Sequence, residues 1–167
     1  MPDVFIKING VNYNQNALIV SAGRKFREAW VVSGGVVELD ATKAADIVCE
    51  LIDQKVDEIC AAGIIWNGSN FGYKDRDDRD VKVNILNMLK EGVADPHNGY
   101  IKDMSGTKVT LTKVQAKDML EKLRAYVLDV IQTSHDAKDG LPTDPAELEG
   151  FDPATDVTWP SKKFTYP

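Results

Sequence analysis

Apolar and polar positions alternate in short runs through residues 1–40: Val4, Ile6 and Ile8, then Leu18 and Val20, then Phe26 to Val32, then Val36 to Leu39. A period of two puts one set of side chains on a single face of an extended chain, so these runs predict strands. Asn9-Gly10 and Ser33-Gly34-Gly35 interrupt the runs. Asn-Gly supplies positive φ at both central positions of a tight turn, and two hairpins are expected.

After Asp40 the period changes. Ala44, Ile47, Val48, Leu51, Ile52, Val56 and Ile59 recur at spacings of three and four, which is one stripe on a helix. Asp40 suits its N-cap, and Gly63 falls where a left-handed residue would stop it. Ile64-Ile65-Trp66, Asn67-Gly68 and then Phe71 and Tyr73 predict a hairpin with aromatic arms. A shorter helix from about Asp78 to Glu91 carries Val81, Ile85, Leu86, Met88 and Leu89 and closes at Gly92. Tyr100 to Lys102 and Lys108 to Leu111 flank a turn at Ser105-Gly106. Thr112-Lys113-Val114-Gln115 then has the form of a capping box. It opens a long helix with the stripe Ala116, Met119, Leu120, Leu123, Tyr126, Val127, Val130 and Ile131, ending at Gly140.

The pattern describes an α+β protein: small β-hairpins packed on two or three amphipathic helices around one core. It divides into a hairpin region at 1–40, an α+β domain at 41–140 and an extended Pro-rich arm at 141–167. In the arm, Pro142, Pro145, Pro153, Pro160 and Pro167 disfavour helix and regular pairing, leaving room for a short helical turn near Glu147. Trp159, Phe164 and Tyr166 are the arm's large apolar side chains, in a segment that cannot bury them alone. They are the candidate partner-binding residues: they either fold back onto the parent domain or dock into a neighbouring subunit.

Composition narrows the partners. With 26 acidic and 20 basic residues the chain carries a formal charge of -6 and no Lys/Arg block, so nucleic acid is not an expected partner. No apolar run reaches the roughly 18 to 20 residues that cross a bilayer, and Met1-Pro2-Asp3 does not open a secretory signal. No membrane contact is expected, and synthesis is expected in a cytoplasm. Cys49 and Cys60 fall in one predicted helix, about 16 Å apart along its axis, too far for a disulfide.

Little in the sequence points to chemistry. Asp75-Arg76-Asp77-Asp78-Arg79-Asp80 begins like a calcium loop, but the required Gly is missing and Leu86 stands where the bidentate Glu belongs. The carboxylates read instead as a helix start, with Asp77 or Asp78 as the cap. His97 sits in turn chemistry, Asp95-Pro96-His97-Asn98-Gly99, and His135 near the end of the long helix. Neither has a neighbour that would make it a base or a metal ligand. Gly34-Gly35 lacks the rest of a phosphate loop, Asn67-Gly68-Ser69 reads only as a turn, and no Gly-x-Ser-x-Gly element is present. A small glycan hydrolase would need a carboxylate pair in a groove, and the sequence offers only the Arg-neutralised cluster. The expectation is a non-catalytic protein with no cofactor and no metal.

The stretch from about Ala41 to Gly140 resembles the DUF4376 family, a domain of unknown function recurring in phage tail-fibre and tail-associated proteins. The resemblance is carried by Ile52-Asp53-Gln54-Lys55-Val56-Asp57-Glu58-Ile59, Ala61-Ala62-Gly63-Ile64, and Trp66-Asn67-Gly68 leading to Phe71. It continues in Asp77-Asp78-Arg79, Lys108-Val109-Thr110-Leu111-Thr112 and the long closing helix. Phe26-Arg27-Glu28-Ala29-Trp30, Gly34-Gly35-Val36-Val37-Glu38-Leu39-Asp40 and the late Trp159-Pro160 are similar to small phage structural proteins. Tyr100-Ile101-Lys102-Asp103, where a Trp-centred strand is common, and the long arm depart from the family pattern. The resemblance implies a structural virion protein in or next to the tail fibre or baseplate, contacting other tail proteins as a homo-oligomer, with a trimer the first expectation. A tail-fibre assembly chaperone, absent from the mature particle, is the alternative. The family has no catalytic motif to carry over.

Overall fold

The computed structural model describes residues 5–8, 11–21, 26, 28–33 and 36–167. In chain order the elements are β1 (Phe5–Ile8), β2 (Val11–Asn14), α1 (Gln15–Ser21), β3 (Trp30–Ser33), β4 (Val36–Leu39), α2 (Ala41–Ala62), β5 (Ile64–Trp66) and β6 (Ser69–Phe71). They continue with α3 (Arg76–Lys90), β7 (Tyr100–Lys102), β8 (Lys108–Thr110), α4 (Lys113–Asp139), α5 (Pro145–Gly150) and β9 (Lys163–Phe164). The class is α+β, with helices beside small separate sheets. No described helix is long and apolar enough to cross a membrane. The chain forms two compact units: Met1–Asp53 with Ala137–Val157, and Gln54–Asp136 with Thr158–Pro167.

In the first unit, β1 pairs with β2 and β3 with β4, both antiparallel. The turn residues 9–10 and 34–35 lie outside the described residues. Two expectations change here. Leu18 lies in helix α1 rather than in a strand: Asn14 Oδ1 accepts the Ala17 N–H at 3.1 Å, the Asx type of bond that starts a helix. The third strand begins at Trp30 and not at Phe26, because Phe26 has φ +49 and its carbonyl accepts the Ala29 N–H at 2.8 Å in a turn. Ile19, Ala29, Trp30, Ala44, Val48, Ile52 and Leu148 are buried. Asp40 caps α2 as expected, its Oδ1 accepting the Lys43 N–H at 3.2 Å. Burial pushes the Cys49 thiol up.

The second unit holds the larger cluster. Ile64, Trp66, Phe71, Leu86, Leu89, Ile101 and Leu111 meet Ala116, Met119, Leu120, Leu123, Tyr126 and Val130 from α4. Gly63, at φ +67, ends α2 as expected; its N–H bonds the carbonyls of Ile59 and Cys60, both at 3.2 Å. The chain then turns into the β5–β6 hairpin through Asn67 at φ +46 and Gly68 at φ +83. The capping box at α4 is reciprocal: the Thr112 N–H donates to Gln115 Oε1 at 3.0 Å and the Gln115 N–H to Thr112 Oγ1 at 3.3 Å.

The α4 stripe is narrower than the sequence suggests. Val127 is half-buried and Ile131 is 38% exposed, while Ser134 takes the next buried position. The buried row Ala116, Met119, Leu120, Leu123, Tyr126, Val130 and Ser134 follows the 3.6-residue repeat; Val127 falls within the arc that this row spans and Ile131 just beyond its edge. On α3, Val81 is 58% exposed while its neighbour Lys82 is buried. Leu123→Ala is expected to cost about 3 kcal/mol by leaving a cavity amid the cluster, whereas Asp129→Ala on the exposed face should stay within about 0.5 kcal/mol. Urea titration of both variants checks the register of α4.

Candidate functional site

The C-terminal segment docks onto the second unit of its own chain. Its backbone lays β9 parallel to β5, with the Ile65 N–H donating to the Lys162 carbonyl at 2.7 Å and the Asn67 N–H to the Phe164 carbonyl at 3.2 Å. The Tyr166 N–H donates to Asn67 Oδ1 at 2.8 Å. This corrects the expectation that prolines prevent regular pairing: Pro160 and Pro167 flank the paired residues and leave 161–166 free to donate and accept. The sheet gains a third strand and runs β6-β5-β9.

Trp159, Phe164 and Tyr166 pack against the core cluster. Phe164 meets Tyr126 edge-on at 6.4 Å between ring centroids, and Tyr166 lies 5.8 Å from Trp66. In the single chain these rings meet side chains of their own second unit. Trp66 is fixed from its polar side as well: its Nε1 donates to Asp118 Oδ2 at 2.8 Å, and Lys122 Nζ donates to the same oxygen at 2.9 Å. Burying large rings while satisfying the indole N–H lets α4 carry a docked strand without an orphaned donor.

The acidic cluster is absorbed by local structure. Asp75, rather than Asp77 or Asp78, caps α3: its Oδ1 accepts the Asp78 N–H at 2.8 Å. Asp75 sits in extended backbone one residue before the helix, the position from which a carboxylate reaches N3. Asp78 accepts at Oδ2 from Lys82 Nζ at 2.6 Å and from the Lys74 N–H at 3.0 Å. Lys82 is 3% exposed, and its ammonium also donates to the Gly72 carbonyl at 2.6 Å, so the buried charge is paired and bonded. Sequence reading passed over Lys82, although Asp78 and Lys82 have the i, i+4 spacing of a helix pair. Among the described residues no group of three or more His, Cys, Asp or Glu is placed to hold a metal ion.

His97 is buried. Its Nε2 lies 2.9 Å from the Leu111 carbonyl, and Nδ1 lies 3.3 Å from Asp95 Oδ1 without the geometry of a hydrogen bond. The ring thus ties the loop before β7 to the end of β8. Asp103 organises the β7–β8 turn: the Ser105 hydroxyl, and then the amides of Thr107, Ser105 and Gly106, hold its carboxyl below the usual range. The Cys60 thiol is pushed up by burial, which suits a packing residue and not a nucleophile.

Two of the clefts formed by the described residues lie on the second unit. One, of about 390 Å³, lies between α3 and β7; Val81, Ile85 and Met88 line one side and Tyr100 and Lys102 the other. Its carboxylate, Asp78, and its buried cation, Lys82, already bond each other. The other, of about 340 Å³, lies between α3 and α4. Arg79, Val83 and Asn87 recur every four residues on α3 and face Arg124, Val127 and Leu128 on α4, with Tyr73 from the loop after β6. Burial is the main influence on the Tyr73 hydroxyl and, with Asp78, pushes it up, while Arg124 and Arg79, which line the same cleft, pull it back. Arg79 contacts Asp80 at 3.2 Å, whereas Arg124 has no ion pair among the described residues.

Periodicity alone could not find this groove, since Arg79 and Arg124 are far apart in sequence and meet through the packing of two helices. The only sequence signal was the surplus of apolar positions on α4, with Val127, Leu128 and Ile131 beside the buried row. No protein-family model, curated protein or solved structure matches the chain.

Proposed function

We propose that the chain is a structural virion protein of a tailed bacteriophage, in or adjoining the tail fibre or baseplate, and that it works by protein–protein contacts without catalysis. The motif order in residues 41–140, which resembles the tail-associated family, supports the tail assignment. The contact role rests on one observation: Leu128 is 56% exposed and Ile131 38% exposed on the outer face of α4, next to the α3–α4 groove. Large aliphatic side chains in a row beside a concave surface are the composition of a face that another protein covers, and arginine at its margin adds to that character. Within a cyclic appendage the chain would be a homo-oligomer, a trimer being the first arrangement to test.

Mass spectrometry of purified particles of the encoding phage tests the assignment. The chain is expected in a constant ratio to known tail proteins. Abundance in the infected cell together with absence from finished particles would instead identify an assembly chaperone.

A further inference from the structure

We propose that the α3–α4 groove takes an acidic amphipathic helix of a partner protein, its aliphatic side chains on Val83, Val127 and Leu128 and its carboxylates on Arg79 and Arg124. The inference rests on the contact role proposed above and adds the chemistry of the partner.

The argument is one of charge and shape. The chain has 26 acidic against 20 basic residues, yet the groove is lined by two arginines and no carboxylate. A cationic groove on an acidic protein marks the sign of what it receives, because the rest of the surface repels an anion that the groove attracts. Arg124 has no ion pair among the described residues, and its fork of donors matches a carboxylate in two-point contact. Arg79 shares one edge with Asp80 and keeps other donors to offer. Half-buried Tyr73 lines the groove with both arginines, and its hydroxyl, which also feels the carboxylate of Asp78, is a further donor to an anion.

Shape then favours a helix. The groove runs between two helices and is floored by aliphatic side chains, the arrangement into which a helix lays apolar residues three and four apart. A long polyanion such as DNA fits less well: it offers no aliphatic group for Leu128, and it would extend past the groove over a chain whose net charge is -6.

The full chain, labelled with nitrogen-15, is titrated with a synthetic peptide about 15 residues long, with Leu every three or four positions and Glu elsewhere. A second peptide carries Lys in place of each Glu. The Glu peptide is expected to shift amides of α3 and α4 around Arg79, Val83, Arg124 and Leu128 in a saturable way, and the Lys peptide is not. Arg124→Glu, at an exposed position, should keep the thermal melt and weaken binding at least tenfold, and Leu128→Ser should weaken it as well. About 0.5 M salt should weaken the wild type in the same sense. Equal binding of both peptides, shifts lying elsewhere, an unaffected Arg124→Glu variant, or preferential binding of a DNA oligonucleotide would each overturn the proposal. Particle composition is read separately: a tail subunit whose groove ignores the Glu peptide disproves the groove alone, and a chain missing from particles disproves the tail assignment alone.

Discussion

Removal of residues 158–167 is expected to destabilise the second unit by roughly 3 to 5 kcal/mol, lowering its melting temperature by on the order of 15 °C or more. The segment is no loose appendage. It closes the β5 edge through the Lys162 and Phe164 carbonyls and places Trp159, Phe164 and Tyr166 against the core cluster. Fully burying such a side chain is worth about 1.5 to 3 kcal/mol; these rings are half-buried, and ordering the backbone offsets part of the gain. What turns the balance is the surface they cover, since Trp66 is 2% and Tyr126 3% exposed with the segment in place. Deletion would also leave the amides of Ile65 in β5 and of Asn67 in the turn after it without their acceptors. Calorimetry with near-ultraviolet circular dichroism reads the effect. A melting temperature within about 2 °C of the full chain would show that the aromatic residues are dispensable to the fold and free to serve a partner.

Gly63→Ala is expected to cost about 4 to 6 kcal/mol, more than any single core truncation proposed above. A Cβ at this position would stand 2.2 Å from the Phe71 carbonyl oxygen and 2.8 Å from Gly72 Cα. Those neighbours are backbone and cannot swing aside as a side-chain end could. The residue also sits at φ +67, a left-handed conformation that costs an L-residue about 1 to 2 kcal/mol. To relieve the clash, β6 must withdraw from the end of α2 and carry with it Phe71, which is fully buried in the cluster. Loss of that packing supplies the rest of the estimate, on the scale of a Phe→Ala change. Gly68→Ala is the matched control, because φ is +83 there but nothing lies within 4 Å of the added carbon. Equal melting of the two variants would show that conformation, and not the close approach of backbone, is what glycine contributes at position 63.

Local chemistry sufficed for much of this molecule. The caps at Asp40 and Thr112, the stop at Gly63, and the turns at Asn67-Gly68 and Ser105-Gly106 are decided within a few residues of themselves, and each forms as the sequence indicates. The helical stripes on α2 and α4 also follow from spacing, because a 3.6-residue repeat fixes which side chains share a face whatever they pack against. Tertiary structure decided what spacing cannot express. Val81 and Ile131 are exposed while Lys82 and Ser134 are buried, so apolarity alone does not choose the buried positions. Lys82 is buried because Asp78 and the Gly72 carbonyl converge on its ammonium. The strand at residues 163–164 exists only because β5 offers an open edge about a hundred residues earlier in the chain, too brief a pairing for any local pattern to announce. The α3–α4 groove belongs to the same class: its arginines are ordinary helix-surface residues until packing brings them to one cleft, and that convergence of distant side chains is a property of the folded chain alone.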